Sequence, residues 1–424
     1  MVGRSRRRIL MASGGSGPVA SRRHKPDYWI LILAALLALI GLVVVYSISP
    51  GLAASQNQSQ SYFVIKQLLA VALGATAFFI AAALPINSWR RLIRPLAWVT
   101  LAGCLIVMVM PVNAIYPAHR WIRLGSFSFQ IAELIKLALL LGMASFLTKQ
   151  WRAGKLANSR ATLKPILVLL IVLGVVVAKL QSDLGSAGVM VAMIGMMIYA
   201  AGVPLKKVLG VAGLVAILGI LAISSSAYRR ERVTTFLHPE RNCQTTSYQA
   251  CQDLISVGSG GLFGLGLGNS VQAYGYQPEA ANDSIFAIMG EKFGFIGTLS
   301  IVIIYGAFIT RLKRIIEHTA DQFTRLIAVG VMAWLSTQAI INIGAMIGLL
   351  PLKGITLPLI SQGGTSLVFL TAALGLVFQI SRYTSYSATE PEIDIHESPI
   401  TNNSLDGRRL GRPYNANLVT RRRT

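Results

Sequence analysis

YWILILAALLALIGLVVVYSI, residues 28–48, runs for 21 residues without a charge and follows a basic leader. Two readings compete for it. A secretory signal has an apolar core of about 7–15 residues and is removed, and the trailing GLAAS (51–55) could serve as its cleavage site. A membrane-crossing helix needs about 20 apolar residues to span about 30 Å of hydrocarbon. The length favours the span. Comparable blocks recur near 65–84, 95–111, 131–147, 164–180, 185–203, 207–224, 285–310, 326–349 and 364–381. The chain is 54% hydrophobic and only 13% charged, against about 25% charged in soluble proteins. The expected fold class is an all-α polytopic membrane protein with about ten transmembrane helices.

The basic residues set the orientation. Most of the 39 Lys and Arg cluster in alternate connections: Arg6–Arg8, Arg22 and Arg23, then Arg90, Arg91 and Arg94, then Lys149–Lys164, Lys206 and Lys207, and Arg311–Arg325. The tail adds Arg382, Arg408 and Arg421–Arg423. Positive charge stays in the cytoplasm, so both termini are expected inside and the span count even. Counting residues 28–48 as span one keeps that alternation. The net charge of +23 is thus a topology signal; no soluble basic domain exists to bind nucleic acid.

The expected domains are a cytoplasmic tail at 1–27, a membrane domain at 28–382 and a second cytoplasmic tail at 383–424. Both tails are rich in Ser, Arg and Asn and lack apolar periodicity, the signature of disorder. One long extracytoplasmic loop, 225–282, lies between spans seven and eight. It contains the Gly-rich GSGGLFGLGLGNS (258–270), which no strand precedes; a dinucleotide fingerprint is excluded, and a flexible or re-entrant backbone is expected. Cys243 and Cys251 share that loop, where an oxidising compartment would let them pair; sequence alone leaves the pairing open.

Acids are scarce, 16 in all, and an ionisable group near a span is a functional candidate by default. Glu133 is followed at i+3 by Lys136, so the two either neutralise each other or serve function. Asp183 precedes span six and can cap it. Glu291 and Lys292 suggest a similar internal pair. Asp283 differs, because no basic residue lies within eight positions of it. It stands at the start of span eight, where it or Asn282 can cap the helix. Low dielectric and the helix dipole act there in opposite directions on its titration, a setting suited to a general base. On the outside face, Arg120, Arg123, Arg229, Arg230, Arg232, Arg241 and Lys353 invite an anionic partner such as a diphosphate, or pair with Glu231, Glu240 and Asp253. No His/Cys/Asp cluster has metal-ligand spacing, and no cofactor signature is present.

Four stretches carry a family resemblance: RWIRLGSFSFQIAELIKL (120–137), QSDLGSA (181–187), VGSGGLFGLGLGNSVQAYGYQPEAANDSIFAIMGEKFGFIG (257–297) and NIGAMIGLLPLKGITLPLISQGGTSL (342–367). On these the chain resembles the SEDS (FtsW/RodA/SpoVE) family of cell-wall glycan polymerases over about residues 28–381. The resemblance implies an inverting peptidoglycan glycosyltransferase that joins lipid II, a disaccharide-peptide on undecaprenyl diphosphate, into β-1,4 glycan strands. Asp283 aligns with the family's essential aspartate, taken to be the base. Arg120, Trp121, Arg229, Arg232, Lys353, Glu279 and Ser361 are then candidates for substrate contact. Gln130, Glu133, Lys136, Asp183, Glu291 and Asn342 are expected in supporting roles.

The same resemblance implies the bacterial cytoplasmic membrane and a class B penicillin-binding transpeptidase as partner, with other divisome proteins. LPLKGITLPLIS (350–361) is more similar to the division branch than to the elongation branch, which points to the septum. A divalent cation (Mg or Mn) at the diphosphate stays open. Other readings are a lipid II flippase, for which acids and broken helices at mid-bilayer would be expected, and a scaffold for the transpeptidase. The chain departs from the family pattern at Ile131-Ala132 (usually Pro-Ser), Ser182 (Pro), Ala281-Asn282-Asp283-Ser284 (His-Thr-Asp-Phe) and Gln362 (Tyr).

Overall fold

The computed structural model describes residues 25–110, 120–124, 127–224 and 227–384. The two expected tails therefore fall almost wholly outside the described residues. Helices α1 (Tyr28–Ser55), α2 (Tyr62–Ala83) and α3 (Ile86–Val109) come first. A hairpin of β1 (Trp121–Leu124) and β2 (Phe127–Gln130) leads into α4 (Ile131–Arg152). The fifth span, Ser159–Leu180, consists of α5 (Lys164–Leu173) between two π-helical segments. Then follow α6 (Leu184–Ala201), α7 (Leu205–Ser224), α8 (Ala227–Leu237) and α9 (Tyr248–Ser259). Last come α10 (Ile285–Glu317), α11 (Gln322–Met346) and α12 (Gly364–Ile380).

Among the described residues, nine helices are long and apolar enough to cross a membrane. The tenth expected span, α7, is a helix of 20 residues. The molecule is an all-helical polytopic membrane protein, as hydrocarbon requires when every backbone group must be satisfied internally. Helix α1 is part of that bundle, with Leu37, Val44 and Val45 fully buried. The centre is formed by α4, α6, α11 and α12, while α2 and α3 turn Leu69, Leu73, Leu101 and Leu105 outward.

Helix ends that the charge pattern assigns to one side do meet. Arg90 pairs with Asp321 at 3.2 Å, Arg311 stacks over Trp29 at 5.0 Å, and the Asp27 N–H donates to Ser381 Oγ at 2.9 Å. Lys207 reaches back to the carbonyl of Ala157. The opposite end gathers Arg120, Gln130, Asp183, Asp283, Asn342 and the 350–363 loop.

The segment 225–282, expected as an irregular loop, carries two helices, and Cys243 and Cys251 form a disulfide with Cα atoms 5.6 Å apart. The Gly-rich stretch has a defined role: it completes a break in α10. At Gly294 the backbone leaves the helical region (φ 64°, ψ −166°). The N–H groups of Phe295 and Ile296 go to the carbonyls of Gly261 and Leu262, at 2.9 and 3.1 Å. The carbonyls of Glu291 and Lys292 accept from Leu265 and Gly266, at 2.9 and 3.0 Å. The re-entrant backbone thus supplies the partners that the kink removes from the helix.

The expected Glu291–Lys292 pair does not form. Glu291 Oε1 accepts from the N–H groups of Val271 and Gln272, and its other oxygen from Ser270 Oγ. Lys292 Nζ donates to the carbonyl of Leu267 at 2.6 Å. Both charges clamp the Gly-rich segment.

Gly264 is the tightest point of this joint. Its φ is +81°, and an added Cβ would lie 2.2 Å from the Lys292 carbonyl oxygen. Gly264→Ala is expected to cost more than the about 1–3 kcal/mol of a strained backbone alone. Gly268→Ala, with nothing within 4 Å of its Cβ position, should stay within about 0.5 kcal/mol. Thermal unfolding of both variants in detergent checks the contrast, and equal stability would remove the close-approach argument.

Candidate active site

Asp283 sits one residue before the N-cap of α10, which is Ser284. It does not cap the helix as expected; Ser284 holds that position and makes no side-chain cap bond. The Asp283 carbonyl instead accepts from Asn342 Nδ2 at 2.7 Å, and the same amide donates to the Ile355 carbonyl at 2.7 Å. Asn342 on α11 thereby ties the start of α10 to the 350–363 loop.

One oxygen of the carboxyl group is unengaged. Oδ1 is buried without a hydrogen-bond partner, and the group lines a cavity of about 10 Å³ with Asn342, Lys353, Gly354 and Ile355. Burial pushes the Asp283 carboxyl up to about 7, and the nearby Glu279 adds to the rise. The Gln249 amide and the Arg232 guanidinium act against it. A second cavity, of about 230 Å³, adjoins through Ala345 and is lined by Arg232, Phe236, Gln249, Leu254, Leu350 and Leu352 among others. A carboxylate balanced near neutrality, two cations and a partly apolar cleft thus converge where α10 begins and α11 ends. Such a carboxylate can accept a proton from a hydroxyl, and the cations can face a developing negative charge.

The other expected residues divide. Arg232 lines the larger cavity, with Nη1 donating to the Leu352 carbonyl at 3.1 Å. Lys353 lines the smaller cavity with Asp283. Glu279 is exposed, has φ of +54° and accepts from Asn282. Trp121 begins the hairpin and is 39% exposed. Arg120 is committed elsewhere: Nε donates to the Gln181 carbonyl at 2.7 Å and Nη2 to that of Ser182. Ser361, expected to touch substrate, is buried, and its hydroxyl accepts the Leu357 N–H at 2.7 Å. It shapes the loop instead. The side chain of Arg229 lies outside the described residues.

The residues expected in supporting roles make the following contacts. Asp183 caps α6 through the Ser186 N–H at 2.9 Å, and Gln130 Nε2 donates to its other oxygen at 3.2 Å. Lys136 Nζ meets Glu133 Oε1 at 2.8 Å, both fully buried. Among the described residues no group of three His, Cys, Asp or Glu side chains converges to hold a metal. No step below uses a metal cation.

Asp253 escaped the sequence reading, which offered it only as a partner for outside arginines. It is 1% exposed on α9, and its Oδ1 accepts from Gln277 Nε2 at 2.7 Å. Burial, with the Asp283 charge adding to it, pushes its carboxyl up to about 8, while the Ser284 hydroxyl acts in the opposite direction. Gln249 and Asp253, four residues apart on one face of α9, face the start of α10; that i,i+4 spacing was the available signal.

Comparison with known proteins agrees with this geometry. The FTSW_RODA_SPOVE family model, described as "Cell cycle protein", matches residues 27–386. "Stage V sporulation protein E" of Bacillus subtilis is 34% identical over 371 residues, covering 87% of this chain and all of that protein. A "Probable peptidoglycan glycosyltransferase FtsW" of Thioalkalivibrio sp. is 36% identical over 366 residues, covering 85% and 90%. A solved chain described as "Structural coordination of polymerization and crosslinking by a peptidoglycan synthase complex" superposes with a TM-score of 0.69. It is 28% identical, over 84% of this chain and 98% of that one.

Proposed function

The chain belongs to the FtsW/RodA/SpoVE family of cell cycle proteins, and from that membership we propose that it polymerises lipid II into β-1,4 glycan strands at the outer face of the bacterial cytoplasmic membrane. It is a peptidoglycan glycosyltransferase of the division type, working at the septum beside a class B penicillin-binding transpeptidase and other divisome proteins. The observation that carries this reading is Asp283: a carboxyl titrating near 7, with one oxygen unengaged, in a cavity it shares with Lys353 and beside Arg232.

The Asp283 carboxylate takes the proton from the acceptor sugar's 4-hydroxyl as that oxygen attacks the donor's anomeric carbon. The bond from that carbon to the lipid diphosphate breaks with inversion. Lys353 and Arg232 face the charge that gathers on the leaving diphosphate. Trp121 and the apolar wall at Phe236, Leu350 and Leu352 contact sugar or lipid. The disulfide between Cys243 and Cys251 supports an oxidising surrounding for this end of the molecule.

The flippase reading gains a broken helix at Gly294. The N–H and carbonyl groups freed there, however, are taken by the 261–266 segment and are not offered to a cargo. The test is direct. Full-length protein, with its transpeptidase, is given fluorescent lipid II and the products are resolved by length. Glycan ladders support the polymerase, lipid movement in liposomes without polymer supports the flippase, and neither leaves only a scaffold.

The pH dependence has a fixed sign. The base works deprotonated, and its pKa is raised to about 7, so polymerisation should rise by about fivefold from pH 6 to pH 7. A rate that was flat from pH 5 to 8, as an ordinary surface carboxylate would give, removes the buried-base assignment.

A further inference from the structure

Asp253 is not used by the mechanism above, yet its surroundings are built around it. The α9 helix carries Gln249 and Asp253 one turn apart, and both reach the start of α10. Gln249 Nε2 donates to Ser284 Oγ at 3.2 Å, and the same side chain acts to lower the Asp283 carboxyl pKa. Ser284, fully buried, stands between Gln249 and the Asp253 carboxyl. Asp253 Oδ1 has the Gln277 amide, while Oδ2 is buried with no partner. None of the described ion pairs includes it.

The surrounding charges give no relief. From the start of α10 it meets Asp283 and, beyond that, Glu279. Arg232 on α8 acts on Asp283 and is tied to Leu352. Glu240 and Arg241 in the Pro239–Asn242 turn are exposed. The α11 stretch from Trp334 to Met346 contains no titratable side chain. An anion here would be an acceptor-only group with half its capacity unmet, close to a second anion. A neutral acid gains a donor on Oδ2, and Ser284 Oγ can accept it.

We propose that Asp253 is a positioning residue for Asp283: it keeps its proton in the resting site, so that one negative charge rather than two sits at the start of α10, and through Ser284 and Gln249 it holds that charge on Asp283. The arrangement is that of two carboxyls sharing one proton, with burial deciding which is the acid and which the base. Above pH about 8 Asp253 ionises, adding a second charge that opposes an incoming diphosphate. This rests on the glycosyltransferase reading for its effect on rate, but not for the protonation state itself.

Infrared titration of the full-length protein tests the state directly. Two protonated-carboxyl bands should titrate away, that of Asp283 near pH 7 and a later one that is half present at pH 8, gone by about pH 9 and missing in Asp253→Asn. A wild type without the later-titrating band overturns the proposal, whether or not the protein makes glycan. Failure to make glycan with the band present overturns the polymerase reading alone. In the polymerisation assay the wild type should lose about fivefold from pH 7 to 9, since a second charge weakens binding without removing the base. Asp253→Asn, which mimics the neutral acid, should stay within about threefold of wild type at pH 7 and lose that decline. An alkaline decline unchanged in the variant overturns the proposal, as does a loss beyond about tenfold at pH 7 with the fold intact. Ser284→Ala provides a second variant that leaves both carboxyls in place. It should shift the frequency of the Asp253 band, and a band that does not move removes the Ser284 link.

Discussion

Asp283→Asn is expected to lower glycan polymerisation by about 10²–10⁴-fold, the usual worth of a positioned general base, while the protein stays folded. Asparagine has the same shape, and the contact that fixes the backbone here runs from Asn342 to the residue 283 carbonyl, which the substitution leaves in place. The stability expectation has the opposite sign to the activity. The Asp283 pKa is raised by burial from the ordinary carboxylate range to about 7, so above that pH the folded state holds an anion it disfavours. Stability from the neutral form is present at low pH and is lost as pH rises through about 7. At pH 8 the asparagine variant should therefore unfold no earlier than the wild type. Ladder length on a gel and thermal unfolding in detergent measure the two effects separately. Wild-type ladders from the variant would remove the base assignment; lost ladders with early unfolding would mean that Asp283 acts through structure.

Much of this architecture was legible, for identifiable reasons. An uncharged run such as 28–48 has one economical use in a membrane, and alternating basic connections give the expected direction of each crossing. The Glu133–Lys136 pair and the Asp183 cap were readable because their partners lie three residues away on a helix, within reach of a side chain. Glu291 and Lys292 misled because they are adjacent. Successive helical residues point about 100° apart and do not face each other, so each found its own partner in the Gly-rich segment. The kink at Gly294 could not be seen locally, since its missing hydrogen bonds are supplied by backbone about 30 residues earlier. Backbone-to-backbone pairing leaves little trace in side-chain chemistry. Asp253 was obscured for a related reason: its partners Gln277 and Ser284 are neutral, and a search for charges to match an acid passes over amides and hydroxyls. Ser361 shows the converse, a polar residue inside a long family motif whose hydroxyl closes a turn.

Lys136→Met is expected to destabilise the protein by about 3–5 kcal/mol, the cost of leaving one member of a buried ion pair without its partner. Both side chains are fully buried, and Glu133 Oε2 already lacks a hydrogen-bond partner, so the carboxylate has no solvent to turn to once the ammonium is gone. The loss would spread beyond the pair. Lys136 Nζ also contacts Gln338 Oε1 at 3.4 Å and lies 5.1 Å from the Trp334 ring. Gln338 in turn donates to the Thr356 carbonyl at 3.0 Å and to Ser366 Oγ at 3.3 Å, joining α4 and α11 to the loop after α11 and to α12. Removing both charges is a different experiment. Glu133→Gln with Lys136→Met leaves no buried ion, and replacing such a pair by neutral groups of similar volume is often close to neutral. The double variant should therefore recover most of the stability, a strongly non-additive result that a double-mutant cycle by thermal unfolding would register. Polymerisation decides what the pair is for. If it only closes the bundle, the double variant is stable and active; a stable double variant without ladders would move Glu133 and Lys136 from the supporting set into the working one.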